Sequence, residues 1–116
     1  MGPGAQTPEE LETRFEDAFV VRDGRAVAHL FEAGAVLGAA GRAPEARGGD
    51  QIARFAAAMW ERDYAYLADP RRVVQARDTA LVVGGRGINV VRRRGDGRWL
   101  YAISLLDIDS AKGEHE

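Results

Sequence analysis

Apolar residues recur with the period of an α-helix in three segments of the first half of the chain. The first segment follows Thr7-Pro8, a cap residue and a proline at the first helical position, and its apolar stripe is Leu11, Phe15, Ala18 and Phe19, with Glu12 predicted to point elsewhere. Asp23-Gly24 ends this helix, and a shorter one is predicted over residues 25–31. A third helix begins at Asp50, and its stripe is Ile52, Phe55, Ala56, Met59 and Trp60.

The second half changes to short apolar runs separated by turn residues. These runs predict strands at residues 64–68, 73–76, 80–83, 88–93 and 99–108, after an early buried strand at 35–37 and a loop at 39–49. Asp78-Thr79 and Gly95-Asp96-Gly97 supply tight turns, and glycines 84, 85 and 87 supply a turn or a sharp bend. In the last strand, alternation predicts an inner face of Trp99, Tyr101, Ile103 and Leu105 and an outer face of Leu100, Ala102, Ser104 and Leu106.

Helices followed by strands at hairpin spacing predict an α+β fold. A single domain is expected over residues 8–109, in which a curved antiparallel sheet wraps around three N-terminal helices to enclose an apolar pocket. Residues 1–7 are predicted to be flexible and residues 110–116 to form a disordered tail. Since 116 residues make one domain of ordinary size, a second is not expected.

Charge and composition narrow the function classes. A net charge of −2 argues against nucleic-acid and anionic-membrane partners, and the absence of cysteine excludes disulfides and thiolate metal sites. The N-terminus lacks a basic region followed by an apolar run, so a cytoplasmic location is expected. Arginine greatly outnumbers lysine, of which Lys112 is the only one, and this bias is typical of a GC-rich genome such as that of an actinobacterium.

Four features in this order resemble the nuclear transport factor 2-like superfamily, in particular its small SnoaL-like or ketosteroid-isomerase-like bacterial branch. They are the helix 11–22 with Asp23-Gly24, the helix entry at 48–52, the turn Asp78-Thr79-Ala80 and the hairpin 95–99. The resemblance implies a cone-shaped α+β barrel, a pocket at its wide end and frequent dimerisation through the sheet. It does not select a function, because the superfamily includes isomerases, polyketide cyclases, dehydratases and non-catalytic binding modules.

Two polar residues are candidates for catalysis in such a pocket. Asp107 ends the last strand on its predicted inner face and is a candidate general base, although an exposed strand-end charge is the simpler explanation. Asn89 can orient a ligand carbonyl, unless it lies on the outer sheet surface. His29 lacks partners at metal-ligand spacing, and neither a metal nor a cofactor is predicted.

The expected pocket lining is aromatic and apolar, although ordinary core packing explains Trp60 more simply. Its candidate residues are Phe15, Phe19, Phe55, Met59, Trp60, Tyr64, Tyr66, Trp99 and Tyr101.

Two functions remain open. The chain is predicted to bind an apolar polyketide- or steroid-like molecule and to transfer a proton on it without a cofactor, as a cyclase, isomerase or dehydratase does. The alternative is a non-catalytic ligand-binding or dimerisation module. A homodimer through the apolar outer sheet face is expected in either case.

Overall fold

A computed structural model describes residues 4–39, 45–64, 69–85 and 87–106. Its helices are α1 (Pro8–Val20), α2 (Gly24–Ala28) and α3 (Gly48–Glu61). Its strands are β1 (Phe31–Ala39), β2 (Ala46–Arg47), β3 (Pro70–Ala76), β4 (Thr79–Gly84), β5 (Gly87–Arg93) and β6 (Trp99–Leu106). Over the described ranges, no helix has both the length and the apolar character needed to cross a membrane.

The first helix starts as its sequence predicts, because side chains satisfy the exposed backbone N–H groups. Thr7 Oγ1 accepts from the Glu10 N–H at 3.0 Å, and Glu10 Oε1 in turn accepts from the Gln6 N–H at 2.8 Å. Asp23 caps α2 in the same way, by accepting from the Ala26 N–H.

The second helix is shorter than predicted. It ends at Ala28, and Phe31 opens β1 instead of closing a helix. The Tyr101 N–H donates to the Leu30 carbonyl at 2.8 Å, so pairing with β6 draws this segment into the sheet. A contact 71 residues away along the chain therefore overrides the local helical pattern.

Six strands form one curved, unclosed sheet in the order β2-β1-β6-β5-β4-β3. The late strands pair antiparallel, as predicted, whereas β1 runs parallel to β6. The predicted loop at 39–49 contains the short strand β2, which pairs with β1 at Val36 and Leu37. The mixed α+β fold with three helices on a curved sheet is confirmed.

A β-bulge in β6 changes which side chains face inward. Val90 pairs with Ile103 but Val91 pairs with Tyr101, so Ala102 is an extra residue. Before the bulge Trp99 and Tyr101 are buried, as predicted.

Beyond the bulge the predicted faces of β6 are wrong. Ser104 and Leu106 are each 1% exposed, whereas Ile103 and Leu105 are 51% and 47% exposed. The extra residue shifts the inward-facing positions by one. A prediction that assumes strict alternation along the sequence does not include this shift.

Leu100 and Ala102, predicted on an open outer face, are also buried.

An ion pair joins the two strands that flank β6. Glu32 of β1 accepts two hydrogen bonds from Arg92 of β5, from its Nε and Nη2 atoms, both at 2.8 Å. Glu32 is 8% exposed, and its hydrogen bonds and charge raise the pKa of Arg92. This ion pair bridges the flanks of β6 near the bulge.

Aromatic rings from the helices fill part of the concave side. The Phe15 ring centroid lies 5.5 Å from Tyr101 and 6.0 Å from Phe31, both in edge-to-face geometry. The Phe19 ring lies 5.2 Å from Trp60 of α3. The stripes of α1 and α3 therefore bury themselves against the sheet and against each other.

Candidate functional site

Four polar side chains are buried together on the concave side of the sheet. Glu12 of α1, Asn89 of β5 and Ser104 of β6 are 2%, 2% and 1% exposed, and Tyr101 is fully buried. Buried polar groups in an apolar interior require partners, and ionisable ones are typical of functional sites. We call these four residues the Glu12 cluster.

Hydrogen bonds connect the cluster from both strands to one carboxylate. The Tyr101 hydroxyl donates to Glu12 Oε2 at 2.7 Å, and Asn89 Nδ2 donates to the same oxygen at 2.9 Å. Behind Asn89, the Ser104 hydroxyl donates to Asn89 Oδ1 at 2.5 Å. The Tyr101 hydroxyl and the Asn89 amide therefore both donate to Glu12, and the Ser104 hydroxyl donates in turn to Asn89.

Strand register places the cluster close to one end of the sheet. Asn89 and Ser104 are paired with each other, and they lie in one inward row between Val82 and Leu37. The next inward row consists of the strand-end residues Gly84, Gly87, Leu106 and Ala39. Asn89 and Ser104 are thus one row from the strand ends, whereas Tyr101 lies farther from them, beyond the bulge.

Most of the aromatic candidates lie in the interior of the protein. Those that are buried on the described part of the chain are Phe15, Phe19, Met59, Trp60, Tyr64, Trp99 and Tyr101, while Phe55 is half-buried. Successive ring contacts join Tyr101 to Phe15, Phe15 to Phe19 and Phe19 to Trp60, so this part of the interior is packed by side chains. Asp107 and Tyr66 lie outside the described residues.

Asn89 is the polar candidate that the structure places inside. Its side chain is bonded to Glu12 and Ser104, so the alternative of a solvent-facing position is wrong. Sequence reasoning missed Glu12 and Ser104. Glu12 lies three residues before Phe15 and seven before Phe19, a spacing that put it on the buried helix face.

Comparisons with known proteins identify the fold. No family model matches the chain, and no curated protein sequence matches it either. Solved structures do match. A ketosteroid isomerase-like protein from Erwinia carotovora superposes with a TM-score of 0.70 at 23% identity, covering 85% of this chain and 91% of that one.

Two further structures agree with the first. An NTF2-like protein with a cystatin-like fold from Novosphingobium aromaticivorans gives a TM-score of 0.69 at 20% identity, over 86% of this chain and 78% of that one. ActVI-ORFA from Streptomyces coelicolor gives 0.64 at 18% identity, over 86% and 92%. The chain has the NTF2-like fold. The structural resemblance confirms the fold that the resemblance in the sequence implied.

Within this NTF2-like fold the Glu12 cluster can exchange a proton or hold a polar group. A carboxylate that accepts from a phenol can also accept from a ligand hydroxyl, and the phenol can donate to a carbonyl oxygen in its place. Over the described residues, no three His, Asp or Glu side chains are grouped closely enough to hold a metal ion. The side chains of the Glu12 cluster can form hydrogen bonds and transfer protons.

Proposed function

We propose that the concave interior binds an apolar, polyketide- or steroid-like molecule through one hydrogen-bonding group, and that the Glu12 cluster transfers a proton on it without a cofactor. One observation carries the proposal: Glu12, 2% exposed, receives hydrogen bonds from Tyr101 and Asn89 on a single oxygen. Burying a carboxylate costs several kcal/mol unless it is well paired, so such a group among aromatic rings favours a functional role.

In this proposal each member of the cluster has a distinct role. Glu12 accepts a proton from a carbon next to the ligand carbonyl, and the Tyr101 hydroxyl donates a hydrogen bond to that carbonyl oxygen. Asn89 positions Glu12, and Ser104 fixes the amide of Asn89. The ligand enters past the strand-end row, and Asp107 stays a predicted second base.

Binding is tested with 2-naphthol, a planar apolar probe with one hydroxyl, against naphthalene as its apolar counterpart. We expect the chain to bind 2-naphthol about tenfold more tightly, because the hydroxyl gains a charged acceptor. Glu12→Gln and Tyr101→Phe reduce this preference, while Glu9→Gln, an exposed acid on the same helix, leaves it unchanged. Equal binding of the two probes, or no binding of either, contradicts the proposal.

Proton transfer is tested separately with a β,γ-unsaturated ketosteroid, whose conversion to the conjugated ketone increases ultraviolet absorbance. The reaction removes a proton from the carbon between the carbonyl and the double bond and returns one to the far end of that double bond. Glu12→Gln abolishes it if Glu12 is the base. A rate that survives this substitution but falls with Asp107→Asn assigns the base to Asp107 instead.

A second function, dimerisation, is favoured by the convex face of the sheet. Register places Val74, Leu81, Val90, Ile103 and Val36 in one row across five strands. Ile88 and Leu105 form part of the next row. Five of these seven side chains are at least 39% exposed, which is unusual for a monomer surface. A second copy of the chain can cover both rows, and light scattering at micromolar concentration tests for it.

A further inference from the structure

A groove lies at the opposite end of β6 from the strand-end row. The N-terminal segment, α1, the end of α2 and the start of β6 meet there around a cavity of about 250 Å³. Its lining residues are Gly4, Ala5, Arg14, His29, Leu30, Arg98, Trp99 and Leu100. It is therefore separate from the Glu12 cluster.

An adjoining groove of about 340 Å³ extends this cavity along the helices. Arg14 and Leu30 line both, and the further lining residues are Asp17, Ala18, Val21 and Ala26. The two grooves thus form a basic end next to a mainly apolar channel.

The two arginines carry buried donors that lack hydrogen bonds. Within the described part of the chain, the Nε atoms of Arg14 and Arg98 are inaccessible to solvent and make no hydrogen bond. Arg14 Nη2 donates to Glu10 Oε2 at 3.1 Å, and Arg98 Nε stays 3.5 Å from Asp96 Oδ2. A buried N–H without an acceptor is unfavourable, and a carboxylate oxygen is the acceptor that a guanidinium prefers.

Local packing holds Arg98 in place at the groove. A Cβ atom on Gly4 would lie 2.6 Å from Arg98 Cδ, so the arginine stem rests on the backbone of Gly4. The Trp99 N–H donates to the Ala5 carbonyl at 3.0 Å, which ties the N-terminal segment to β6. The basic end is built from three segments of the chain that the fold brings together.

We propose that this groove binds small amphipathic monocarboxylates, with the carboxylate between Arg14 and Arg98 and the apolar part along Ala18, Val21 and Leu30. The surrounding charges favour a monoanion over a phosphate dianion, since Glu10, Asp17 and Asp96 lie nearby. Each guanidinium has five N–H donors, so pairing with one protein carboxylate leaves donors for the ligand.

The test titrates the full chain with 4-phenylbutyrate and with 4-phenylbutanamide, its uncharged counterpart, while amide resonances are followed by NMR. The carboxylate binds at least tenfold more tightly than the amide and shifts the resonances of His29, Leu30 and Trp99. Arg14→Gln and Arg98→Gln each weaken binding about tenfold, whereas the exposed Arg94→Gln does not. Glu10→Gln strengthens binding, because it removes the carboxylate that competes for Arg14.

Three outcomes overturn the proposal. The amide binds as tightly as the carboxylate, the Arg14 and Arg98 variants behave like Arg94→Gln, or Glu12→Gln alone changes the affinity and the shifts centre on Asn89 and Ser104. The last outcome places the ligand in the interior. The naphthol titration depends on Glu12 and Tyr101 and not on these arginines, so the two proposals fail independently.

Discussion

The Tyr101 hydroxyl lies 2.7 Å from Glu12 Oε2, so residues 89 positions apart in the chain meet at one carboxylate oxygen. This bond joins the first helix to the last strand of the sheet. Asn89 adds a second bond to the same oxygen from β5. The Glu12 cluster therefore fixes the helix on the sheet, whatever its role toward a ligand, and its contribution to folding can be measured apart from binding.

Tyr101→Phe is expected to lower the free energy of unfolding by about 1.5–3 kcal/mol, the range for a hydrogen bond to a charged group. The ring contacts with Phe15 and Phe31 persist, because only the hydroxyl is removed. Urea unfolding followed by circular dichroism measures the change. In the Glu12→Gln background, Tyr101→Phe lowers the free energy of unfolding by less. Equal losses in both backgrounds would show that Tyr101 and Glu12 are not energetically coupled.

Glu10 makes stability depend on pH below its ordinary pKa of 4.5. The Gln6 backbone N–H, followed by Arg14, holds the pKa of this carboxyl below that value in the folded chain. A lowered folded pKa gives stability that is present above about pH 4.5 and is lost as pH falls toward the folded value. Glu10→Gln keeps an acceptor for Gln6 but removes this pH dependence.

Urea midpoints between pH 3 and pH 6 measure the Glu10 effect. Over this range, the urea midpoint of Glu10→Gln changes less with pH than that of the original chain. Glu9→Gln removes a carboxylate from the same helical turn and serves as the charge control. If both variants reduce the pH dependence of the urea midpoint equally, the hydrogen bond from Gln6 to Glu10 is not the cause of that dependence.

Gly87 is required by a close backbone approach. A Cβ atom there would lie 2.6 Å from the Leu105 carbonyl oxygen, so Gly87→Ala forces β5 and β6 apart. We expect a loss of about 1–3 kcal/mol or more in the free energy of unfolding. Gly95→Ala meets no atom within 4 Å and is the control, with a change of about 0.5 kcal/mol or less. Thermal unfolding compares the two.

Ile103→Asp is expected to convert a dimer to a monomer. Ile103 is 51% exposed and lies in the apolar row between Val90 and Val36, where a charge is desolvated on association. Val20→Asp places the same charge on an exposed position of α1 and leaves the dimer intact. Sedimentation at several concentrations distinguishes the two, and a monomeric original chain contradicts the dimer itself.

Local signals were sufficient for most of the secondary structure. The Thr7 cap, the Gly95-Asp96-Gly97 turn and the alternating late strands act over a few residues, so their structures follow the sequence pattern. The end of α2 was mispredicted, because backbone pairing of Leu30 with Tyr101 outweighs the helical spacing.

The candidate site was predicted only in part. The sequence pattern indicates Asn89 and Tyr101, but it predicts that Glu12 points away from the apolar stripe of α1 and that Ser104 lies on the outer face of the sheet, whereas both are buried. Glu12 shares its helix face with Phe15, and a periodicity that counts only apolar residues does not include it. Ser104 faces inward only because of the bulge at Ala102, and no local sequence motif predicts this bulge.

The sequence by itself determined the helices α1 and α3, the turns of the late hairpins and the α+β class, since these depend on neighbours within a few residues. The tertiary structure decided the parallel pairing of β1 with β6, the faces of β6 and the meeting of Glu12 with Tyr101. These features depend on contacts between segments that are distant in the sequence. Strand register determines which face each side chain occupies beyond a bulge, and this register is fixed only when the segments pack together.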